Sequence, residues 1–303
     1  MFNFFRDLFR RKESEHIPAS SAIETAPLSE DLSESVSQPQ ASIEIHPPQL
    51  VFGVAQSVGI QRSHNEDTLF AMCAILAEGS NDLPLGVFVV ADGMGGHLNG
   101  EIASGSAAKA FGKYLLKHFY VPFLTGESES EQESIHEVME HGMLEAHSSV
   151  LSHAPGGGTT LTGALVIGDR VTFSHVGDSR AYFIYPDGRI QVMTQDHSLV
   201  KRLQDLGQID EKEASIHPQR NVLYRALGQS EPFKPDIITH ALPHSGCMLI
   251  CSDGLWGTVP QDEILQIVQS TQDPAVACHH LIEAANAAGG PDNISAILVR
   301  YLS

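Results

Sequence analysis

Residues 85–97 read LGVFVVADGMGGH. The run from Leu85 to Ala91 is apolar and rich in β-branched and aromatic residues, the composition of a strand, and Asp92-Gly93 is a turn signal at its exit. A strand interior is rigid, so a carboxylate placed where the strand leaves the core is held firmly at a rim. Two other segments repeat the arrangement. Asp253 follows the apolar CMLICS of 247–252, and Asp292 stands just before ISAILVRY at 294–301. A fourth acid, Asp67, ends the polar run RSHNED at 62–67. Taken singly, each of these aspartates reads as an ordinary turn residue. Together they make a different demand. Two like charges 4 Å apart repel by roughly 4 kcal/mol at an effective dielectric of 20, so a cluster of them calls for cations. Carboxylates without Cys or His partners suit Mg²⁺ or Mn²⁺ rather than Zn²⁺.

Working outward, short apolar segments separated by Gly, Asp and Asn turns begin near residue 50: LVFGVAQSVG, TLFAMCAIL, LTGALVIGD, RVTFSHVGD, AYFIYPDG and the three already quoted. Helical stretches lie between them, at GEIASGSAAKAFGKYLLKHF, SIHEVMEHGMLEAHSSVL, DEILQIVQS and PAVACHHLIEAANAAG. Many strands in hairpin-like succession with a few inserted helices predict an α+β fold of two packed antiparallel sheets covered by helices. The first twelve residues place Phe2, Phe4, Phe5, Leu8 and Phe9 on one side of a helical wheel, and either an amphipathic helix that needs a surface or a frayed tail is expected there. Residues 13–48, rich in Ser, Glu, Gln and Pro, are expected to form a disordered linker, with one catalytic domain over 49–303.

The whole chain has 303 residues, 42% hydrophobic and 18% charged, with a formal net charge of −19. That excess of acid argues against nucleic acid as a partner, because a phosphate backbone is bound by surplus Lys and Arg. Four scattered cysteines with no CxxC pair argue against a zinc ribbon or a dithiol site and suit a reducing cytoplasm. No apolar run approaches the length of a membrane span, so the surface that residues 1–12 would meet is expected to be either a partner protein or, peripherally, the inner membrane face.

The segments GIQRSHNEDTLF (59–70), VVADGMGGH (89–97), GDSRAY (177–182), SDGLW (252–256) and GGPDNIS (289–295), in this order, resemble the signature motifs of the metal-dependent serine/threonine protein phosphatases of type 2C, in the bacterial branch. The resemblance runs from about residue 50 to the end. It implies a two-metal enzyme, loaded with Mn²⁺ or Mg²⁺, that hydrolyses phosphoserine and phosphothreonine in proteins by in-line attack of a water, opposing a Ser/Thr kinase and acting as a monomer. By the same resemblance, Asp92 bridges the metals, the Gly93 carbonyl binds one, and Asp253 and Asp292 bind the other. Asp67 and Glu66 act directly or through water, and Asp178 matches a third, weaker metal position. Arg62 matches the arginine that grips the substrate phosphate, the role favoured over pairing with a neighbouring acid because a site rich in carboxylates otherwise lacks a cation to receive a dianion.

Residues 194–228 resemble a flap that borders the site and affects substrate choice in that branch, with His217 either touching substrate or packing. The segment is charged and reads as mostly helical. Where some members carry a histidine two residues after the bridging aspartate, this chain has Met94, so the resemblance supplies no general acid. His97 either donates a proton or caps the helix that follows. Two alternatives share the scaffold: a catalytically silent binding module, and a phosphoesterase for small molecules.

Overall fold

The computed structural model describes residues 47–78, 81–95, 98–125, 133–229 and 233–302. Residues 1–46, to which the N-terminal helix and nearly all of the linker expectation belong, lie outside them, as does His97. The chain divides into Met1–Glu44 and Ile45–Ser303, and all that follows concerns the second unit.

Eleven strands of the described residues form two antiparallel sheets. The first runs β1 (Gln49–Ser57), β11 (Ile294–Leu302), β10 (Cys247–Cys251), β7 (Arg180–Ile184), β8 (Ile190–Val192). The second runs β2 (Asp67–Glu78), β3 (Asn81–Met94), β5 (Leu161–Ile167), β6 (Arg170–Val176), β9 (Asp236–Ala241), with the two-residue β4 (Gly158–Thr159) on the end of β3. The helices that cover the second sheet are α1 (Leu98–Leu115), continued by a π-helical turn (Leu116–Tyr120) into the short α2 (Val121–Thr125), and α3 (Ile135–His153). The first sheet is covered by α7 (Gln261–Ser270) and α8 (Pro274–Ala287). Three smaller helices, α4 (Leu199–Asp205), α5 (Glu211–Ser215) and α6 (Asp253–Trp256), lie in connections.

The alternation of side chains along a strand builds the four layers. On β3, Val87, Val89 and Ala91 face the helices and join Phe111, Leu115, Met139 and Met143 in one core. Their neighbours Phe88 and Val90 face the other sheet and meet Phe173, Phe183, Met248, Ile250 and Ile297. A third core sets Leu249, Cys251, Ala296 and Leu298 against Ile264, Val268, Leu281 and Ala285 of the opposite helices. β3 is thus buried on both faces, which is why Leu85–Ala91 carries no polar residue. Local signals agree with the packing. α3 starts at a capping box in which Ser134 and Glu137 exchange hydrogen bonds, and α8 starts with Asp273 as cap and Pro274 in the first turn.

The structure departs from the sequence reading in two places. The strands β4, β8 and β9 were not expected. β9, DIITHA, is a half-exposed edge strand, so it carries Thr and His where a central strand would carry Val or Ile. The segment 194–228 is helical only over α4 and α5, and the rest is turns bonded chiefly within the segment, with backbone hydrogen bonds outward to Gly177 and to Thr159 of β4.

Candidate active site

The antiparallel register of β2 and β3 places Asp67 directly opposite Asp92. Asp253 opens α6 immediately after β10, and Asp292 precedes β11, the neighbour of β10 in the other sheet. Asp178 stands in the turn between β6 and β7. Acids from residues 67 to 292 therefore meet at one end of the sandwich, and their mutual charge is felt. Burial, first, and then the charges of Asp67, Asp253, Asp178 and Asp292 hold the Asp92 carboxyl well above the usual carboxylate range. Burial pushes Asp67 up to about 7 against two hydroxyl donors, and burial followed by the Asp292 charge pushes Asp253 up to about 6. Asp178 is raised as well, by burial and then by Asp253 and Asp196.

Small polar residues fix these acids in place, and the sequence reading assigned none of them a role. Ser252 and Ser295 donate their hydroxyls to Asp67 Oδ2 at 2.8 and 2.7 Å. The Asp92 backbone N–H donates to Thr160 Oγ1 at 3.0 Å, and its carbonyl accepts from the Thr160 N–H at 2.9 Å and the Thr159 hydroxyl at 2.8 Å. Asn293, 5% exposed, accepts the Glu66 N–H on Oδ1 and donates from Nδ2 to the carbonyls of Val58 and His64, so the loop bearing Arg62 and Glu66 is tied to the turn bearing Asp292. The only signal for these roles in the sequence is adjacency to a candidate acid: Ser252 to Asp253, Asn293 to Asp292.

Whether the residues suit a pair of cations can be judged from atoms without partners. Asp67 Oδ1 and Asp253 Oδ1 are buried and accept no hydrogen bond from the described residues, which leaves lone pairs free beside other acids. At Gly93 a Cβ would overlap the backbone of Gly100 and Glu66, so only glycine lets that backbone sit so close to the cluster. All the donors are oxygens. Among the described residues, no three His, Cys, Asp or Glu side chains are already drawn into one closed ligand set. Mg²⁺ does not require one, because it keeps several of its waters and binds through one or two carboxylates. The donor set fits hard divalent cations.

The remaining candidates fall around this centre. The Arg62 guanidinium, half-exposed, donates to Asp292 Oδ2 at 2.6 Å, the acid pairing left open by the sequence. Glu66 accepts or shares a proton with His64 Nε2 at 3.0 Å and lies 8% exposed beside the start of α1. His217 turns its Nδ1 to the Gln219 N–H at 3.1 Å, inside its own turn of 194–228. Met94 pairs with Gly158 across the β3–β4 ladder.

Comparison with known proteins agrees with this architecture. The family model described as "Protein phosphatase 2C" matches residues 53–294. A putative protein phosphatase 2C-type from Streptococcus pyogenes is 32% identical over 248 residues, covering 80% of this chain and 94% of that protein. The serine/threonine phosphatase stp of Listeria innocua is 35% identical over 240 residues, covering 78% and 90%. Among solved structures, the Mycobacterium tuberculosis serine/threonine phosphatase PstP/Ppp superposes with a TM-score of 0.66 at 30% identity, covering 82% of this chain and 97% of that one. The catalytic domain of PstP in complex with two manganese ions gives 0.65 at 28% identity, covering 84% and 99%. The two-sheet sandwich flanked by helices is the fold this chain shares with them. The chain belongs to the protein phosphatase 2C family.

Proposed function

We propose that this chain hydrolyses phosphoserine and phosphothreonine in proteins, with two Mn²⁺ or Mg²⁺ ions held by Asp92, the Gly93 carbonyl, Asp253 and Asp292. The observation that carries this reading is the convergence of acids from four strand ends, of which Asp67, Asp92 and Asp253 are raised by burial and then by neighbouring charge, and two have an oxygen with no hydrogen-bond partner among the described residues. Asp67 and Glu66 contribute directly or through water, and Asp178 with Asp253 suits a third, weaker ion. Bound at this rim, the cations supply a nucleophilic water at neutral pH and offset the negative charge that develops on the phosphoryl group.

The chain's own residues do the rest. Ser252 and Ser295 hold Asp67 in one orientation, which keeps its other oxygen aimed into the cluster. Arg62 is bound to Asp292 through one NH2 and stands half in solvent. Asp292 would be one of the residues holding the cation, and Arg62, turned away from that carboxylate, would offer its planar fork to two phosphoryl oxygens of the incoming substrate. Met94 offers no proton, so the serine or threonine leaving group is protonated from elsewhere than this position.

Phosphoprotein substrates imply a Ser/Thr kinase working in the opposite sense. The test sets phosphoserine, phosphothreonine and phosphotyrosine peptides of one sequence side by side, with a chelator and with added Mn²⁺. Turnover of the first two only with metal is expected. Turnover confined to small phosphoesters, or none at all, would replace this reading with the small-molecule or the silent-module alternative.

A further inference from the structure

The segment 194–228 leaves the fold beside the turn that carries Asp178, and its first residues grip that turn from both sides. Asp196 accepts Arg180 Nε at 2.9 Å and NH2 at 2.7 Å, a two-pronged pair. His197 donates its backbone N–H to the Gly177 carbonyl at 2.7 Å, and its ring Nδ1 accepts the Gly177 N–H at 3.1 Å. Residues 177 and 180, flanking Asp178, are therefore held by two consecutive residues of the segment. Gly177 has φ of 108° and no room for a Cβ against Thr160, so the turn has little freedom of its own.

The other ring nitrogen of His197 points away from the site. Because Nδ1 accepts from an N–H, the ring proton sits on Nε2, which donates to Asp236 Oδ2 at 3.1 Å on the first residue of β9. Arg225, near the end of the segment, donates its NH1 to Asp236 Oδ1 at 2.8 Å and brings the same nitrogen within 3.1 Å of His197 Nε2, so it braces the carboxylate against the ring, and the Tyr224 N–H donates to the His197 carbonyl at 2.9 Å. His197 is 2% exposed, yet its backbone N–H and C=O and both ring nitrogens are all engaged. A residue kept for packing alone needs shape, not four directed bonds to three separate pieces of chain.

We propose that His197 is a positioning residue of the phosphatase site: it fixes the Gly177–Asp178 turn through its Nδ1, with Asp236 holding the ring in the one tautomer that can do so. The catalytic part of this inference rests on the function proposed above. Its structural part can be read without turnover, because Trp256, the chain's sole tryptophan, donates its indole N–H to the Asp178 carbonyl at 2.9 Å and stacks 3.5 Å beneath the Arg180 guanidinium. The indole N–H resonance reports the turn directly.

Two substitutions divide the two ring nitrogens. His197→Asn places an amide oxygen near the Nδ1 position and cannot reach Asp236; His197→Gln reaches Asp236 and leaves the Gly177 N–H without its acceptor. In the full chain with p-nitrophenyl phosphate, and with diamagnetic Mg²⁺ as the metal so that the resonance stays sharp, H197N is expected to keep its indole resonance and most of its kcat. H197Q is expected to shift the resonance and lose on the order of tenfold in kcat with KM little changed. Asp236→Ala is expected to lower kcat and shift the resonance in the wild-type background, and to act several-fold less in H197N, where only the Arg225 pairing is lost and no tautomer remains to be fixed. Should H197Q not fold, the paired Asp236→Ala comparison decides alone. The proposal is overturned if H197Q matches or exceeds H197N, or if Asp236→Ala acts equally in both backgrounds. A wild-type protein without turnover would remove the functional reading, and the indole resonances would still judge the turn.

Discussion

At Asp67, Oδ2 takes two serine hydroxyls while Oδ1 takes nothing, and the residue lies 7% exposed among other acids. Its folded pKa of about 7, and that of about 6 at Asp253, lie above the ~3.9 of an unfolded aspartate. Between about pH 4 and 7 the metal-free fold therefore binds more protons than the unfolded chain, and stability falls as pH rises through that window. Calorimetry in chelator is expected to show the unfolding midpoint dropping from pH 5 to pH 8, with Mn²⁺ restoring it most at pH 8. A midpoint that climbs over the same range would show that burial and neighbouring charge do not raise these carboxyls in the fold. The hydroxyls that aim Asp67 belong to the same account: Ser295→Ala is expected to lower turnover about 10- to 100-fold, the usual scale for losing an outer partner of a metal ligand, with the fold intact by circular dichroism. Near-normal kinetics would contradict it. Asp92, Asp253 and Asp292 were legible in the sequence because each stands where an apolar run ends. Ser252, Ser295, Thr160 and His197 were not, because their partners lie far along the chain and a small polar residue has no periodicity to betray it.

At the scale of elements, β3 does most of the positioning. Its two faces feed two different cores, so it cannot shift register without exposing both sets of side chains. Phe111 of α1 is fully buried against this sheet, so Phe111→Ala is expected to cost about 3–5 kcal/mol of unfolding free energy in denaturant titration. A loss below about 1 kcal/mol would mean that the helix layer contributes little to holding the sheet. The central strands and the four long helices could be read from apolar runs and their periodicity. The edge strand β9 could not, because one face and one edge of it meet solvent, and Asp236, Thr239 and His240 erase the apolar signal. The 194–228 segment misled in the opposite direction. Its charged, helix-favouring composition suggested longer helices than α4 and α5, whereas buried polar residues at its root, Asp196 and His197, commit the backbone to turns.

At the scale of the molecule, the Ser, Glu, Gln and Pro content of residues 13–48 is not expected to supply a core, so deleting residues 1–48 is expected to leave kcat on an aryl phosphate unchanged within about twofold. A collapse of activity would show that this segment contributes to the catalytic unit. Among the described residues no helix is long and apolar enough to cross a membrane. Everything specific to the proposed chemistry depends on acids from both sheets converging at one end of the sandwich to share hard cations. Calorimetric titration of the chelator-stripped protein with Mn²⁺ measures that convergence directly, beside Asp92→Asn, which removes the charge at the centre with little change in shape. The account predicts at least two ions per wild-type chain and loss of both tight sites in the variant. Equal binding by the two proteins, or none by the wild type, would contradict it.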